Sequence, residues 1–329
     1  MKKNSKHAWF SLVACIAALV LTLNASHAQN YPNRPVRLLV PYPSGASSND
    51  ILARQLGPKL GERWGHNVVV DNRPGASGNL GAELVAHSPA DGYTLLFGTG
   101  GLLSIGPHLY KKLNYDPHKD LAPVTLFAVV PYMLVINASV PAKNIQEFIA
   151  YAKSRPGKLS FASAGVGSTP HLCGELLKVL TGIDLLHVPY KGGGPAVTDT
   201  IAGQTQMYCA GLAATMPHVK SGKLRALGVT TLKRSAGAPE IPTLDEQGLK
   251  GFDVNSWAGI FVPSKTPKAV VQTLHESISA VMGTEAMRNT LIKQGQDPLL
   301  LGPKELAELI REESAKWAKV IKTAGIKLE

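Results

Sequence analysis

Two loops rich in glycine and small hydroxyl residues each lead from a predicted strand into a predicted helix. They span residues 40–50, Val-Pro-Tyr-Pro-Ser-Gly-Ala-Ser-Ser-Asn-Asp, and 162–171, Ala-Ser-Ala-Gly-Val-Gly-Ser-Thr-Pro-His. Small side chains let backbone N–H groups approach a ligand, and the unpaired N–H groups of a helix's first turn favour negative charge. Open α/β sheets bind ligands at this end of their strands. Together the two loops predict a carboxylate-binding site formed between them. Either loop alone is more typical of an ordinary connection between a strand and a helix.

Two further residues could reach the same pocket. Thr99 lies in a Gly-Thr-Gly-Gly run at the carboxyl end of a predicted strand, where it could supply a hydroxyl group. Lys191 lies in a Tyr-Lys-Gly-Gly-Gly run, where it could reach an anion or could simply be solvated. Taken alone, each of these features is weak.

Catalytic and cofactor motifs are absent from the sequence. Ser168 and His171 could be imagined as a nucleophile and its base, but no Gly-x-Ser-x-Gly motif exists, and Ser168 is better placed to cap a helix. His187 is interpreted as a hydrogen-bonded core residue at a strand end. The glycines at 75, 78 and 81 do not form a dinucleotide fingerprint, and no Walker-type Gly-Lys-Ser or metal-binding histidine spacing occurs. The sequence therefore predicts no catalysis, no cofactor and no metal.

Short β-branched or leucine-rich runs alternate with helical patterns, which indicates an α/β protein with a largely parallel sheet. A helix is expected over 50–64, with Leu52, Leu56 and Leu60 on one face and Asn49 or Asp50 as its cap. A second helix should begin after Ser168 and end at Gly182, and the tail should be helical up to Gly325. The predicted strands are 36–40, 68–71, 94–98, 133–136, 159–162, 185–188, 206–209, 224–229 and 257–262.

The amino-terminal 28 residues resemble a secretory signal peptide. Three lysines precede an uncharged apolar run over 8–23, followed by Ser26-His27-Ala28 as a cleavage site, so the working chain is expected to start at Gln29. A lipoprotein cleavage at Cys15 is the alternative. Either reading places the protein outside the cytoplasm.

Composition sets the remaining bounds. Removing 28 of 329 residues leaves 301, which favours two domains, and removing three lysines from a net charge of +11 leaves +8. That charge suits an anionic ligand or surface, or solubility alone, and no basic-aromatic stripe favours nucleic acid. Cys173 and Cys209 are expected to be separate buried residues, although an oxidising compartment would let them pair.

Several motifs, in order and spacing, closely resemble the Bug receptors, the substrate-binding components associated with tripartite tricarboxylate transporters. The likeness covers essentially the whole mature chain. The motifs are Tyr31-Pro32-x-Arg34-Pro35-Val36-Arg37, the Val-Pro-Tyr-Pro-Ser-Gly loop, Asn72-Arg73-Pro74-Gly75-Ala76, Pro89-Ala90-Asp91-Gly92-Tyr93-Thr94-Leu95-Leu96, His187-Val188-Pro189-Tyr190-Lys191-Gly192, Gly222-Lys223-Leu224-Arg225-Ala226-Leu227, Ile241-Pro242-Thr243, Trp257-Ala258-Gly259 and Lys316-Trp317.

The resemblance implies a two-lobe, type II periplasmic-binding-protein fold with the ligand cleft between the lobes. By this analogy lobe 1 comprises 29–129 and 253–329, and lobe 2 comprises 130–252. Closure would bury a small organic anion, such as a mono- or dicarboxylate, with no catalytic step. The expected protein is a periplasmic monomer that serves a membrane transporter; a sensory accessory for a signalling partner and, less favoured, a secreted serine hydrolase are the alternatives.

Family members hold the ligand largely through backbone amides of the two loops. This chain departs from the family at Gly45-Ala46, where Gly-Gly is usual, and at Gln206, where relatives commonly carry Asp, so the ligand could differ. No dedicated transporter can be assumed. The predicted ligand-binding residues are Tyr42, Ser44, Gly45, Ala46, Ser47, Asn49, Thr99, Ser163, Gly165, Gly167, Ser168, Thr169, Lys191 and Gln206.

Overall fold

The protein is described by a computed structural model that covers residues 31–45, 48–110 and 112–326; only the backbone is described for Ser48. The predicted signal peptide and the predicted ligand residues Ala46 and Ser47 lie outside the described residues. Within them, no helix is both long and apolar enough to cross a membrane.

Strands and helices alternate along the chain, as the sequence predicts. The strands are β1 (Val36–Val40), β2 (Val68–Asn72), β3 (Thr94–Thr99), β4 (Leu121–Asn137), β5 (Leu159–Ser163), β6 (Leu185–Pro189), β7 (Met207–Gly211), β8 (Leu224–Val229), β9 (Asn255–Pro263) and β10 (Asp297–Leu301). The helices are α1 (Ser48–Trp64), α2 (Asn79–Ala86), α3 (Gly106–Leu109), α4 (Ile145–Lys153), α5 (Thr169–Thr181), α6 (Gly193–Ile201), α7 (Leu212–Lys220), α8 (Lys268–Met282), α9 (Glu285–Lys293) and α10 (Pro303–Ala324). A π-helical turn over Gly101–Ile105 leads into α3.

Local sequence signals account for most of these boundaries. In α1 the leucines at 52, 56 and 60 are buried, as their spacing predicts. The helix begins at Ser48, so Asn49 and Asp50 lie in its first turn and the predicted cap is wrong. In α5 the Ser168 hydroxyl accepts a hydrogen bond from the His171 N–H, and Gly182 ends the helix at φ 70°. Gly325 ends α10 in the same left-handed conformation, at φ 65°.

Two parallel strand sets form the two lobes of the fold. In lobe 1, β1 pairs in parallel with β2 and with β3. In lobe 2, β5 pairs in parallel with β6 and with β7. The strand order across the whole sheet is β2-β1-β3-β9-β4-β7-β5-β6, with β8 and β10 also paired to β4. The sheet is therefore mixed, because β4 and β9 run antiparallel to their neighbours.

The long strand β4 joins the lobes. Its first part pairs with β9 from Leu121 to Pro131, and its second part pairs with β7 and β8 from Tyr132 onwards. The chain returns along β9, which starts at Asn255. The sequence places only 133–136 in a strand, because β4 contains Pro123 and Pro131, which interrupt its apolar pattern. The exact lobe boundaries stay a prediction.

Helix α10 bridges the lobes through its two ends. Leu306 and Ile310 pack in a cluster with residues of β3 and β9, whereas Trp317, Val320 and Ile321 pack in the lobe 2 core. Assigning all of 253–329 to lobe 1 therefore misses this second attachment. The amphipathic spacing predicts the helix, but it does not predict that the two ends of the apolar face pack into the cores of different lobes.

The two cysteines among the described residues form a disulfide. Cys173 of α5 is bonded to Cys209 of β7, and both residues are buried. The expectation of two separate cysteines is therefore wrong. They lie 36 residues apart in sequence, and only the packing of α5 on the sheet brings them together.

Gly174 allows the close approach of α5 to β5. A β-carbon at Gly174 would overlap the ring of Phe161, which is fully buried. We expect Gly174→Val to lower the free energy of unfolding by about 3 kcal/mol, because overpacking a rigid core forces strain. Chemical denaturation would measure this, with Gly194→Val as a control, since a β-carbon there meets nothing within 4 Å. Equal stability of the two variants would contradict the prediction.

Candidate functional site

A cavity of about 610 Å³ lies between the lobes. Its floor includes Tyr132 of β4 and Ser256 of β9, the two strands that cross between the lobes. Lobe 1 contributes Tyr42, Thr99 and the π-helical turn, and lobe 2 contributes the predicted second loop. Its position and size fit a small molecule that contacts both lobes at once.

Three helices of lobe 2 begin at this cavity. Helices α5, α6 and α7 follow the carboxyl ends of β5, β6 and β7, which share one direction. Their first turns or caps line the cavity through Thr169, Gly193 and Gly211. Each helix amino terminus carries about half a positive charge, so three of them create a positive potential without a cationic side chain.

No lining residue in the described part of the chain is charged or is a histidine. The polar lining groups are hydroxyls, one amide side chain and backbone groups. The described lining would therefore balance an anion through helix termini and hydroxyl donors. Lys191 does not line the cavity; it is exposed after the end of β6.

Phenol groups form much of the wall. Burial raises the pKa of Tyr42 and of Tyr208 to about 12, so both are protonated at neutral pH. The Tyr42 Oη lies 2.7 Å from Thr99 Oγ1, and Tyr110 Oη donates to Ser77 Oγ at 2.7 Å. Tyr208 has no such partner among the described residues, so its hydroxyl is a donor that a ligand can use.

The first loop is held by the buried carboxylate of Asp50. Its Oδ2 accepts from the Gly45 N–H at 2.7 Å and from Arg54 Nε at 2.9 Å, and its Oδ1 accepts from Asn72 Nδ2 at 2.8 Å. Arg54 also donates to Ser44 Oγ at 3.0 Å. Gly45 adopts φ 75°, which favours glycine. The Gly45 amide thus faces Asp50, and the prediction that it contacts the ligand is not retained.

The second loop needs glycine at two positions. Gly165 and Gly167 adopt φ values of 127° and 77°, which strain any other residue. The Gly165 N–H donates to Ser163 Oγ at 3.1 Å, and the Gly167 N–H donates to His171 Nδ1 at 3.0 Å. Although both glycines line the cavity, their amides are therefore already engaged.

Half of the predicted ligand residues meet at the cavity. Those that line it are Tyr42, Asn49, Thr99, Gly165, Gly167, Ser168 and Thr169. Ser44, Gly45 and Ser163 support the loops from outside the lining. Ligand contact by the lining residues stays a prediction.

Gln206 lies at the wrong end of the sheet to contact this cavity. Its Oε1 accepts from the Ser160 N–H at 2.9 Å, and its Nε2 donates to the Gly203 carbonyl at 3.2 Å. Ser160 and Gln206 stand at the amino ends of β5 and β7, whereas the cavity lies at the carboxyl ends. The prediction that Gln206 binds the ligand therefore does not fit this cavity, because the resemblance to a family motif does not show at which edge of the sheet the side chain lies.

The hydrolase alternative has no geometric support. Ser168 Oγ donates to the Gly165 carbonyl at 2.7 Å and caps α5, while His171 Nδ1 accepts from the Gly167 N–H. The two side chains do not form a nucleophile and base pair. Among the described residues, no group of three or more His, Cys, Asp or Glu side chains could hold a metal ion.

Sequence reasoning missed most of the aromatic wall. The missed lining residues include Tyr110, Tyr132, Gly193, Gly194, Tyr208, Gly211 and Ser256. The Gly192-Gly193-Gly194 run offered a signal, since it is a third glycine-rich turn before a helix. The tyrosines offered none, because they occur in strands and a helix end that resemble ordinary core segments.

Fold and cavity together define a two-lobe binding protein of the type II periplasmic class. The chain matches the family model described as "Tripartite tricarboxylate transporter family receptor" over residues 52–326, and it belongs to that family. Proteins of this family are solute-binding receptors and not enzymes, which confirms the predicted class.

Individual relatives agree with this assignment. The chain is 34% identical to "Protein BugT" of Bordetella pertussis (strain Tohama I), over 97% of this chain and 98% of that one. It is 37% identical to the structure "R. palustris Rpa4515 with adipate", with a TM-score of 0.77 over 90% of this chain and 99% of that one. It is 32% identical to MatC (Rpa3494) from Rhodopseudomonas palustris with bound malate, with a TM-score of 0.71 over 88% of this chain and all of the other.

Proposed function

We propose that this protein is a periplasmic receptor that binds a small organic carboxylate between its lobes. The observation that carries the proposal is the meeting of three helix amino termini at a cavity whose described lining has no charged side chain. Such a site attracts an anion through partial positive charges and neutral donors, and it offers no carboxylate that would attract a cation. The structures of relatives with adipate and with malate support a carboxylate.

Delivery to a tripartite transporter is the second part of the proposal. The family description and the secretory character of residues 1–28 support it. Ligand-driven closure would bring surfaces of both lobes into one arrangement that a membrane partner can recognise, because only the closed form contacts the ligand from both sides. Capture of the transporter's membrane subunits by the ligand-loaded receptor, but not by the empty one, is the expected result.

Isothermal titration with matched acids and amides tests the carboxylate. Hexanoate, benzoate, malate and adipate would each be compared with the corresponding amide, which keeps the shape and removes the charge. We expect at least one acid to bind and its amide to bind at least 100-fold more weakly. Binding of amides or amines alone would defeat the proposal.

Tyr208 provides a sharper test of the site. We expect Tyr208→Phe to weaken binding of the best acid by about tenfold to 100-fold, because a hydrogen bond to a charged group contributes about 1.5–3 kcal/mol. Tyr110→Phe is the matched control, since Tyr110 lines the same cavity but already donates to Ser77. Equal losses in the two variants would contradict a specific role for the Tyr208 hydroxyl.

A further inference from the structure

Two imidazole rings lie stacked directly behind the second loop. His171 of α5 and His187 of β6 have ring centroids 3.8 Å apart and planes within 11° of each other. The ring of Phe161 stacks on His187 at 4.9 Å and closes the group from the sheet side. We call His171 and His187 the histidine pair; neither residue lines the ligand cavity.

Each glycine amide of the loop is connected to one member of the histidine pair. The Gly167 N–H donates to His171 Nδ1 at 3.0 Å. The Gly165 N–H donates to Ser163 Oγ at 3.1 Å, and Ser163 Oγ lies 2.6 Å from His187 Nε2. The stack therefore fixes two alternate amides of a five-residue loop.

The hydrogen bond from Gly167 requires a neutral His171. Because a backbone N–H can only donate, Nδ1 must be unprotonated and the ring proton lies on Nε2. Burial and the neighbouring charges lower the pKa of His171 to about 3 and of His187 to about 4, which is consistent with neutral rings. The charged groups nearest the pair are Glu175, 3.9 Å from His171 Nε2, and Lys178, which binds Glu175 at 3.1 Å.

Because the N–H groups of Gly165 and Gly167 are bound within the protein, other N–H groups of the loop must serve the ligand. The amides of Gly165 and Gly167 are engaged, whereas Val166 and Thr169 of the same loop also line the cavity and have N–H groups left to donate. Neither of these two has an acceptor among the described residues. Thr169 is also the first residue of α5, where the helix terminus adds its partial positive charge.

We propose that the histidine pair consists of positioning residues, which hold the Gly165 and Gly167 amides away from the cavity so that Val166 and Thr169 present theirs to the bound anion. This inference rests on the carboxylate function proposed above. It assigns the two histidines a role in ligand affinity although neither contacts the ligand.

Two polar substitutions of equal charge separate this role from general packing. In His171→Asn the amide oxygen can take the place of Nδ1, whereas in His171→Gln the amide lies farther out, where Nε2 was. We expect the Asn variant to keep the Gly167 hydrogen bond and the Gln variant to lose it. Hydrogen exchange of the Gly167 amide, followed by NMR in the ligand-free protein, should be at least tenfold faster in the Gln variant than in the Asn variant.

Affinity should follow the same order. With adipate as the probe, we expect His171→Asn to stay within threefold of the natural protein and His171→Gln to bind at least tenfold more weakly. His187→Gln, which keeps a group at the Nε2 position, should resemble the natural protein, and His187→Asn should not. These variants give a second contrast if one of the His171 variants does not fold.

The exchange measurement separates failure of this inference from failure of the proposed function. Equal Gly167 exchange in the folded Asn and Gln variants would overturn the positioning role, whatever adipate does. A clear difference in exchange, with none of the four acids bound even by the natural protein, would support the positioning role and count against the carboxylate. A difference in exchange with equal adipate affinity in all variants would overturn the claim that the pair controls binding.

Discussion

Replacing Asp50 by alanine is expected to cost about 3 kcal/mol of folding free energy, because it leaves the N–H donors of Gly45 and Asn72 without their buried acceptor. Asp50 is fully buried and accepts from Gly45, Arg54 and Asn72. Burial alone would favour its neutral form, but these hydrogen bonds hold the pKa of Asp50 below its usual value. Without the carboxylate, the first loop loses the group to which the Gly45 amide is tied.

Ligand binding should suffer even at temperatures where the Asp50→Ala protein stays folded. The loop leads into α1, and Asn49 of that helix lines the cavity. We expect adipate affinity to fall at least tenfold, measured by titration at neutral pH beside a urea denaturation series. Asp71→Ala is the matched control, because Asp71 pairs with Arg37 and Arg73 at the partly exposed edge strand β2.

The control should lose about 1 kcal/mol or less, as is usual for partly exposed ion pairs. Similar losses of stability for the two variants would show that Asp50 contributes no more to folding than a partly exposed ion-pair residue such as Asp71. Unchanged adipate affinity in Asp50→Ala would show that the first loop does not take part in binding.

Removing the disulfide between Cys173 and Cys209 is expected to have an effect of similar size. The bond closes a loop with a sequence separation of 36 residues. Loop-closure entropy in the unfolded chain then predicts a loss of about 4 kcal/mol in the reduced protein. The double variant Cys173→Ala/Cys209→Ala should unfold at the same lower urea concentration whether or not a reductant is present.

Ligand affinity offers the internal control for this prediction. Neither cysteine lines the cavity, so the folded double variant should bind adipate within about threefold of the oxidised protein. A stability difference below about 1 kcal/mol between the oxidised and reduced natural protein would contradict the entropic estimate. The bond also suits an exported protein, because disulfides persist in oxidising compartments.

The sequence predicts which loops form the site, but not in which direction their N–H groups point. The two glycine-rich loops lie at a shared cavity through Asn49 and Gly165–Thr169, because strand, loop and helix start follow each other locally in the chain. The direction of each amide does not follow from the same signals. Gly45 and Gly167 were predicted as ligand donors, but Asp50 and His171 take their N–H groups.

Other residues show the same limit at longer range. Gln206 belongs to the amino edge of the lobe 2 sheet, and Lys191 lies outside the lining, although both stand near recognisable motifs. Tyr132 and Tyr208 line the cavity from strands whose apolar patterns look like plain core. The prediction of two separate cysteines was wrong for the same reason, because the packing that joins Cys173 to Cys209 is not visible in their spacing.

The amino-acid sequence alone determines the alternation of strands and helices, the helix starts and the Bug-type motifs, because these depend on neighbouring residues and on periodicity; it also predicts export. Its family membership is confirmed by the comparison over residues 52–326, while export stays a prediction. Only the tertiary structure decided which edge of the sheet each side chain faces, which amides are turned inward, that α10 enters both cores and that the cysteines are bonded. The physical reason is that these properties depend on contacts between segments far apart in the chain. A local sequence pattern does not specify which distant segment a residue will contact.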